Sequence, residues 1–482
     1  MIDRPSPPPS SADTYSPHLR TALVLTGTGT AGIYHAGVLR ALDEAGVKID
    51  IVAGRGIGVI GALFSAIDGA ERLWDDTGFW RDPAIGSFYG WRLAMRVACW
   101  ALGVSAAIVV VPIGTMAIGL VVFPIDFVLK MVGSLGATDL VAWYVRVVQA
   151  AFASGALPTW LPRLVFLALL SAAVVAAASA ASRMKGRGRG PWWWRAVPPP
   201  LSADAATALC WRLVWDLVRG AADRSRPQPA ELGRRYVERL AENLGQPGFR
   251  ELLVVAHDVD AHRDLVFALV AESRRRDLMR RETIAAAEVR RAEVFDLAGP
   301  ARGHLADAVA AALAVPVATD LEPISFAPDS YWRGETHRLC DRPAALGRII
   351  DELADLGVDQ LIIVSAAPAS EGPHALAAPR VDGRARLGEY VHSAEAAVLR
   401  DATAIAVRSV PRVFTIRPAH NPIGPFDFGG GYDDRSDRPG RIIELLDLGC
   451  QDAYHQFIEP VVGASGERLS GAQEGQPRWR DR

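Results

Sequence analysis

The chain has 482 residues, enough for two or three domains or for one large domain with insertions. Its 54 acidic and 52 basic residues nearly cancel, so the overall charge gives no indication of nucleic-acid binding. Hydrophobic residues make up 50% of the chain and the mean hydropathy is +0.14, which is high for a soluble enzyme and indicates that part of the chain lies in lipid.

The cysteines are far apart in the sequence and show no C-x-x-C spacing. This pattern argues against a zinc site and against a disulfide framework, and it is typical of proteins in a reducing cytoplasm. We therefore expect neither a metal ion nor a cofactor. The four cysteines are Cys99, Cys210, Cys340 and Cys450.

Both ends of the chain have the composition of disordered segments. Residues 1–19 are rich in proline and serine and have no apolar core of the kind that a signal peptide needs, so we expect a disordered leader. Residues 461–482 are polar and rich in glycine, and we expect them to form a disordered tail.

Strand, glycine turn and helix occur twice in the segment 20–90. The apolar run RTALVL precedes TGTGTAG and a helical pattern over Ile33–Glu44, and the apolar run Ile49–Ala53 precedes a second helical pattern over Gly58–Ile67. This order predicts the first half of an α/β domain with a parallel sheet.

The segment 91–190 has the composition of a membrane insert. Residues 98–123 carry no charge over more than the roughly 20 residues that cross a bilayer, and residues 161–182 form a second long apolar run with Arg163 near its start. Ala142–Ala156 is amphipathic and suits the membrane interface. We predict two transmembrane helices, at about 98–123 and 161–182; the alternative is a helical hairpin buried inside a soluble protein.

Basic residues flank this insert on its outer sides. Arg92 and Arg96 precede the first apolar run, and five basic residues and the aromatic triplet Trp192–Trp194 follow the second. The positive-inside rule then places both flanks in the cytoplasm of a multi-pass protein, such as one in a bacterial inner membrane, and the triplet resembles an interfacial anchor. The five basic residues are Arg183, Lys185, Arg187, Arg189 and Arg195.

The sheet resumes after the insert. Residues 191–250 have the patterns of amphipathic helices and are predicted to form a connector, whereas residues 251–460 contain further buried-type strands such as ELLVVAH and QLIIVS. Strands before and after the insert can pair only in one compartment, so the number of membrane crossings must be even. The arginine-rich stretch Ser273–Arg291 is either a solvated helical face or a surface for anionic lipid heads.

Several motifs occur together in a known order. LTGTGTAGIYHAGVLRALDEAGV is followed by AGRGIGVIGALFSAIDG, then by LADAVAAALAVPVATDLEPISF and by YWRGETHRLCDRPAALGRIIDELADLGVDQLIIVS. These residues resemble patatin-like phospholipases over roughly 20–81 and 251–460. The resemblance implies a three-layer α/β/α fold with a central, mostly parallel sheet, interrupted here by a transmembrane helical hairpin. It also implies a role in lipid metabolism.

Members of that family use a serine and aspartate dyad, and this sequence departs from the dyad. The family's G-x-S-x-G elbow corresponds to Gly54, Gly56 and Gly58, so the nucleophile position is Gly56, and the aspartate of Y-x-D-G corresponds to Arg333. Glycine has no side chain with which to attack, and arginine cannot accept a proton. The resemblance therefore implies that dyad hydrolysis is absent.

The oxyanion loop of the family survives in part. Gly27 and Gly29 are kept, Thr28 lies between them, and Ala31 stands where an arginine is common. Because helix N-termini and backbone N–H groups attract anions, Arg333 near this loop would form an anion-binding site for lipid phosphate or a fatty acid. The alternative is that Arg333 points into solvent or pairs with Asp341 or Glu335.

Other side chains do not restore the dyad. Ser65 lies about 13 Å along the helix that follows the elbow, and the pair Asp382-Gly383 comes after the QLIIVS strand instead of before it. Asp341 and Glu335 lack a nucleophile to activate, and the histidine of the Y-H pair, His35, is more typical of packing than of catalysis.

Three functions remain open. The first is a catalytically dead pseudo-phospholipase that binds membrane lipids or a protein partner, with Gly56 relaxing the strained elbow and so serving the fold. The second is a lipid acyl hydrolase with a non-standard nucleophile, and the third is a membrane scaffold. The sequence does not determine the oligomeric state.

Overall fold

The computed structural model describes residues 14–132, 140–153, 155, 157–183, 199–219, 225–279, 284–368 and 382–463. The chain divides into two compact units, one formed by residues 1–90 with 202–482 and the other by residues 91–201. The first is an α/β unit and the second is helical. Most of the predicted leader and tail, the Trp192–Trp194 triplet and the basic residues from Lys185 to Arg195 lie outside the described residues.

The strands lie in one large sheet and two short ladders. The strands are β1 (Thr21–Thr26), β2 (Ile51–Gly54), β3 (Gly90–Trp91), β4 (Leu201–Ser202), β5 (Glu251–Asp258), β6 (Arg263–Leu269), β7 (Val294–Asp296), β8 (Glu322–Ser325), β9 (Thr336–Cys340), β10 (Gln360–Ser365), β11 (Arg412–Ile416), β12 (Gly431–Asp433) and β13 (Arg438–Gly440). The sheet has the order β11-β10-β1-β2-β5-β6-β7, and β9 pairs with both β5 and β8. Pairing is parallel from β11 to β5 and between β6 and β7, but β5 is antiparallel to β6 and to β9.

Helices flank this sheet and also form the second unit. The helices are α1 (Ala31–Glu44), α2 (Gly58–Ala66), α3 (Leu93–Met131), α4 (Leu140–Ala151), α5 (Leu157–Arg183), α6 (Asp204–Val218), α7 (Pro229–Asn243), α8 (Glu272–Met279), α9 (Ile284–Glu293), α10 (Leu305–Leu313), α11 (Ala345–Asp355), α12 (Gly383–Ser409) and α13 (Glu444–Ala453). A π-helical segment, Tyr454–Val462, continues α13. The expected α/β fold with a central, mostly parallel sheet is confirmed, and the structure adds that the sheet is mixed.

The sheet is the centre of the core because its middle strands are buried on both faces. All six residues of β1 and of β10 are buried, which is why these strands read as continuous apolar runs without polar alternation. On one face Val24 and Ile363 pack with Ile349 of α11; on the other, Leu25 faces α2. Burying each such side chain contributes about 1.5–3 kcal/mol.

Glycines allow α1 and α13 to approach closely. A Cβ atom at Gly37 would lie 1.9 Å from the carbonyl oxygen of Leu446, and one at Gly449 would lie 2.3 Å from that of Tyr34. The motif YHAGVL therefore carries a packing requirement as well as a family resemblance.

The predicted leader ends earlier than expected. Tyr15 is completely buried, its ring packs edge-on against Phe457 at 5.8 Å, and its hydroxyl accepts a hydrogen bond from the backbone N–H of Lys48 at 2.8 Å. The last residues of the segment 1–19 are thus ordered. The prediction of a disordered leader was wrong at this end because composition alone does not reveal an aromatic anchor in a proline-rich stretch.

The helical unit contains one helix, α3, that is long and apolar enough to cross a membrane, judged over the described residues. It has 39 residues and includes the predicted span 98–123, with prolines at 112 and 124. The predicted span 161–182 lies in α5, whose described apolar part, Pro162–Ala178, is shorter. The Tyr144 hydroxyl of α4 donates to the carbonyl of Thr115 in α3 at 2.6 Å.

Candidate functional site

The elbow between β2 and α2 is a tight turn centred on Gly56. Gly54 ends the strand, Gly58 begins the helix, and Gly56 has φ +56°, in the left-handed region that favours glycine. A Cβ atom at Gly56 would lie 2.2 Å from the carbonyl oxygen of Gly27. Any side chain at this position would therefore have to displace the backbone of the preceding glycine loop.

The glycine loop between β1 and α1 lies directly against this turn. Gly27 has φ +145° and Gly29 has φ +60°, so both adopt conformations that L-residues avoid. The backbone N–H of Ile57 donates to the Gly27 carbonyl at 2.9 Å, and the N–H of Thr30 donates to the carbonyl of Pro425 at 2.9 Å. Two N–H groups that could contribute to an oxyanion hole are thus already used inside the protein.

A buried guanidinium occupies the position before Gly56. The side chain of Arg55 is 1% exposed, and it donates from Nε to Asp341 Oδ1 at 2.9 Å and from Nη2 to Asp341 Oδ2 at 2.5 Å. The same Nη2 lies 3.3 Å from Glu395 Oε1, and Nη1 donates to the hydroxyl of Thr26 at 2.9 Å. The hydroxyl of Thr28 donates to Glu395 Oε1 at 2.6 Å. We call Arg55, Asp341, Glu395, Thr26 and Thr28 the Arg55 network.

The network is held by the elements around the elbow. Thr26 ends β1, Thr28 lies in the glycine loop, Asp341 follows β9, and Glu395 projects from the middle of α12. Arg55 leaves the backbone where β2 turns into α2. Residues from four separate stretches of sequence thus converge on one buried point.

Burial governs the ionisation of these groups. Desolvation lowers the pKa of Arg55, but the nearby carboxylates of Asp341 and Glu395 outweigh it, so the net pKa is raised and the guanidinium stays charged. Burial raises the pKa of Glu395 despite the opposing effects of Arg55 and Thr28. Burial also lowers the pKa of His35 to about 4, so this imidazole is neutral at physiological pH.

The elbow and its neighbours are closed to solvent. Thr28, Arg55 and Asp341 are each no more than 3% exposed. The carboxylate of Asp341 is the acidic group next to the elbow, since its Oδ2 would lie 3.1 Å from a Cβ atom at Gly56. Its two oxygens accept from Arg55, which leaves this carboxylate as an ion-pair partner in place of a free base.

The assignment of the family's aspartate position to Arg333 requires correction. Arg333 is exposed and lies in the turn before β9, where its backbone N–H donates to the carbonyl of Ser330 at 3.1 Å. Asp341 follows the other end of β9, and the five-residue strand alone spans about 16 Å. The structure brings Asp341, not Arg333, to the elbow, so the predicted anion site of Gly27, Thr28, Gly29 and Arg333 is not assembled.

Sequence reasoning missed the partners of this network, although a signal was present. An arginine between the buried strand IVAG and an apolar helix requires compensating carboxylates, and that requirement directs attention to buried acids such as Asp341 and Glu395. Of the other candidates, Ser65 is buried with no hydrogen-bond partner for its hydroxyl among the described residues. Glu335 is 65% exposed on its side chain and contacts His337.

No group of three or more His, Cys, Asp or Glu side chains within the described ranges is arranged to hold a metal ion. The pair Asp382-Gly383 is explained by helix capping: the Asp382 carboxylate accepts from the backbone N–H groups of Arg384 and Ala385 at the start of α12.

Comparison with known proteins finds similarity over parts of the chain. The family model for patatin-like phospholipases matches residues 23–194. Patatin-like phospholipase domain-containing protein 6 of Mus musculus is 54% identical over 52 residues, which are 11% of this chain and 4% of that protein. Lysophospholipase nte1 of Aspergillus fumigatus is 54% identical over 44 residues, 9% of this chain and 3% of that protein.

The chain thus spans only a small part of the length of these curated relatives. Among solved structures, VipD from Legionella pneumophila aligns with 94% of this chain and 68% of its own, with 14% identity and a TM-score of 0.30. The family model describes phospholipases, whose substrates are lipids. The part of the chain that carries the glycine loop and the elbow, residues 23–194, is thus similar to patatin-like phospholipases.

Proposed function

We propose that this protein is a membrane-attached, patatin-like phospholipase homologue in which the former reaction centre no longer hydrolyses esters. The observation that carries this proposal is the position of Gly56, where a side chain would meet the Gly27 carbonyl oxygen at 2.2 Å. A serine oxygen is one bond farther from the backbone than Cβ, so a nucleophile cannot stand here unless the glycine loop moves.

The Arg55 network supports the same conclusion. A general base must present an oxygen to the proton that it removes, and both oxygens of Asp341 are held in a buried, bidentate ion pair with Arg55. The network also opposes the binding of an anion, because one guanidinium already faces the carboxylates of Asp341 and Glu395. The centre is therefore a structural connection between β2, β9 and α12.

Membrane attachment is proposed through the helical unit. Its helix α3 combines length with low polarity, and the flanking arginines Arg92 and Arg96 suit a cytoplasmic position under the positive-inside rule. We propose that α3 and α5 form a two-span hairpin with both flanks in the cytoplasm. On this basis the protein is a multi-pass protein, and a bacterial inner membrane is the setting that the charge pattern suits.

One contact favours a second candidate function, a hydrolase with a non-standard nucleophile. The Thr28 hydroxyl donates to Glu395 at 2.6 Å, which is the hydrogen bond that a hydroxyl nucleophile makes with its base. Burial raises the pKa of Glu395, which would strengthen it as a base. Against this function, Glu395 also pairs with Arg55 and Thr28 is 3% exposed.

Ester hydrolysis by the full-length protein in detergent distinguishes these functions. The assay uses p-nitrophenyl esters and a fluorophosphonate probe on the natural protein, on Asp341→Asn and on Thr28→Val, with protein-free micelles as the blank. We expect the blank rate and no labelling for all three. Hydrolysis that Thr28→Val abolishes would establish the second function, and hydrolysis that only Asp341→Asn abolishes would show that Asp341 activates water.

A further inference from the structure

A cavity of about 880 Å³ lies beside the turn between β8 and β9. This volume falls within the roughly 300–1,000 Å³ of small-molecule sites. The cavity is separate from the elbow, because Arg333 lines it at one end of β9 and Asp341 lies beyond the other end. Its apolar lining comes from Val294, Phe295, Pro300, Phe326, Tyr331 and Trp332.

An aromatic row forms one wall of this cavity. Phe267 stacks on Phe295 and Phe295 stacks on Phe326, both at 5.1 Å between ring centroids, and Phe326 stacks on Trp332 at 6.2 Å. The row begins at the fully buried Phe267 and reaches Tyr331, which is 51% exposed. Such a row is rigid because its inner members belong to the sheet core.

The indole of Trp332 presents an apolar surface. Its Nε1–H donates to the carbonyl of Ala292 at 3.0 Å, so its polar atom is used within the protein. The ring also packs at 4.4 Å from His337, whose Nδ1 lies 2.5 Å from Asp258 Oδ2. Because its N–H group is already hydrogen-bonded, the indole can pack against an aliphatic chain without leaving a donor unpaired.

Positive charge lies at the rim of the cavity. Arg291 and Arg333 both line it, both are exposed, and neither has an ion pair to another described residue. The acids at the cavity are Asp296, which pairs with Arg275, Glu335, which contacts His337, and the exposed Asp329. Arg275 is shared between Asp296 and Glu272, and His337 is shared between Asp258 and Glu335, so the rim carries charges of both signs. Arg291 and Arg333 are the cations at the rim that remain available to an anionic group.

The turn holds Arg333 in a conformation that arginine seldom adopts. Its φ is +47°, and the turn is closed by hydrogen bonds from the Arg333 N–H to Ser330 and from the Gly334 N–H to Ala327. Backbone outliers of this kind cluster at binding sites, where the surroundings determine them. The conformation places Arg333 among the residues that line the cavity.

We propose that this cavity binds a single-chain amphiphile with an anionic head. The aliphatic chain lies along the Phe295–Phe326–Trp332 wall, and Arg291 and Arg333 hold the head, because guanidinium groups bind carboxylate and phosphate oxygens in pairs. This inference rests on the proposed function, because it names the class of lipid that a non-hydrolytic protein of this kind would bind. Fatty-acid carboxylate and lysophosphatidate phosphate share this chemistry.

Photo-crosslinking of the full-length protein in phosphatidylcholine nanodiscs tests the proposal. The probes are diazirine-bearing palmitate, diazirine-bearing lysophosphatidate and, as an uncharged control, diazirine-bearing hexadecanol, each mapped by mass spectrometry of the labelled peptides. We expect both anions to label residues 294–304 or 326–335. Labelling by one anion alone would identify the head, whereas equal labelling of these peptides by the alcohol would overturn the proposal.

Two variants and one control separate binding from folding. Replacing both arginines (Arg291→Gln with Arg333→Gln) should lower labelling about tenfold or more, since each charge-assisted contact contributes about that factor. Ala327→Trp should fill the cavity from its exposed rim, and Arg400→Gln, on a surface helix, should have no effect. Unchanged labelling in both cavity variants, with melting temperatures like that of the control, would overturn the site.

This test and the hydrolysis assay fail independently. Crosslinking depends on occupancy of the cavity, whereas ester cleavage depends on the elbow and the Arg55 network. A protein that hydrolyses esters yet shows arginine-dependent crosslinking would refute the loss of catalysis and keep the lipid site. The reverse pair of results would refute only the site.

Discussion

At the residue scale, two features restrict position 56 to glycine. The backbone φ of Gly56 is +56°, and a Cβ atom there would lie 2.2 Å from the carbonyl oxygen of Gly27. We predict that Gly56→Ser, which restores the family's nucleophile, does not restore hydrolysis. The left-handed backbone costs a serine about 1–3 kcal/mol, and displacing the glycine loop costs about 1–3 kcal/mol more. Thermal unfolding and fluorophosphonate labelling measure the two effects.

Gly86→Ser is the matched control for that substitution. Gly86 lies in a short helical turn, and a Cβ atom built on it would have no heavy atom of another residue within 4 Å apart from its chain neighbours. A serine there should change the free energy of unfolding by less than about 0.5 kcal/mol. A Gly56→Ser protein that is as stable as the Gly86→Ser control and reacts with the probe would show that the elbow still accepts a nucleophile.

Arg55 is the residue on which the buried charges depend. Arg55→Met leaves the carboxylates of Asp341 and Glu395 buried without a cation, and we predict a loss of about 3–5 kcal/mol in the free energy of unfolding. Asp341→Asn keeps the pairing of Arg55 with Glu395 and should cost less, about 1.5–3 kcal/mol.

The surface pair of Arg212 with Asp82 provides the comparison. The Arg212 side chain is 47% exposed, so Arg212→Met should cost about 0–1 kcal/mol. Denaturant titration of the three variants gives the order. If Arg55→Met were as mild as Arg212→Met, the network would not be the structural connection proposed above.

The residues of the site show which contacts a sequence can predict. Gly27, Gly29, Gly54 and Gly58 were predictable because a tight turn restricts the residue type locally. The aspartate at the elbow was not, because Asp341 reaches Gly56 from the far end of a strand that pairs antiparallel with β5. Motif spacing placed Arg333 at that position, and only the fold decides between two residues eight positions apart.

At the scale of the element, the β8–β9 hairpin depends on a buried histidine. Burial lowers the pKa of His337, but hydrogen bonds to Asp258 and Glu335 outweigh it, and the net pKa is raised. A raised pKa stabilises the folded state fully below the unfolded value of about 6.5 and loses that effect as the pH rises through the folded value. We predict that the hairpin is less stable at alkaline than at mildly acidic pH.

The measurement is the melting temperature between pH 5.5 and 8.5 for the natural protein and for His337→Gln, which keeps a donor but does not titrate. The natural protein should lose stability towards the alkaline end relative to His337→Gln. Parallel pH curves for the two proteins would show that His337 is not protonated in the fold.

Short apolar strands were easier to predict from the sequence than the long polar helix α12. The buried strands β1, β2, β5 and β10 were clear because each is a short apolar run between turn residues. The 27-residue helix α12 was missed, since it is polar along much of its length and buries only scattered residues such as Ala385, Glu395 and Leu399. Its buried acid is fixed by Arg55, a tertiary partner that no local pattern contains.

At the scale of the whole molecule, the sheet contains strands that precede the helical unit in the sequence and strands that follow it. β2 pairs in parallel with β5, with Ile51 opposite Glu251, although nearly two hundred residues separate them along the chain. Both strands must therefore fold in one compartment, so the two-span hairpin proposed above agrees with the pairing of the sheet, whereas a single crossing between the strands does not.

The helical unit also begins and ends at one place, because the backbone N–H of Arg92 donates to the carbonyl of Pro200 at 2.9 Å. A short Gly-Ser linker in place of residues 93–199 can therefore join the two ends with little loop entropy. We predict that the full-length protein resists carbonate extraction from membranes and that the shortened protein is soluble and retains the melting behaviour of the α/β unit. A shortened protein that stays in the carbonate-washed membrane fraction would place the attachment in the α/β unit instead.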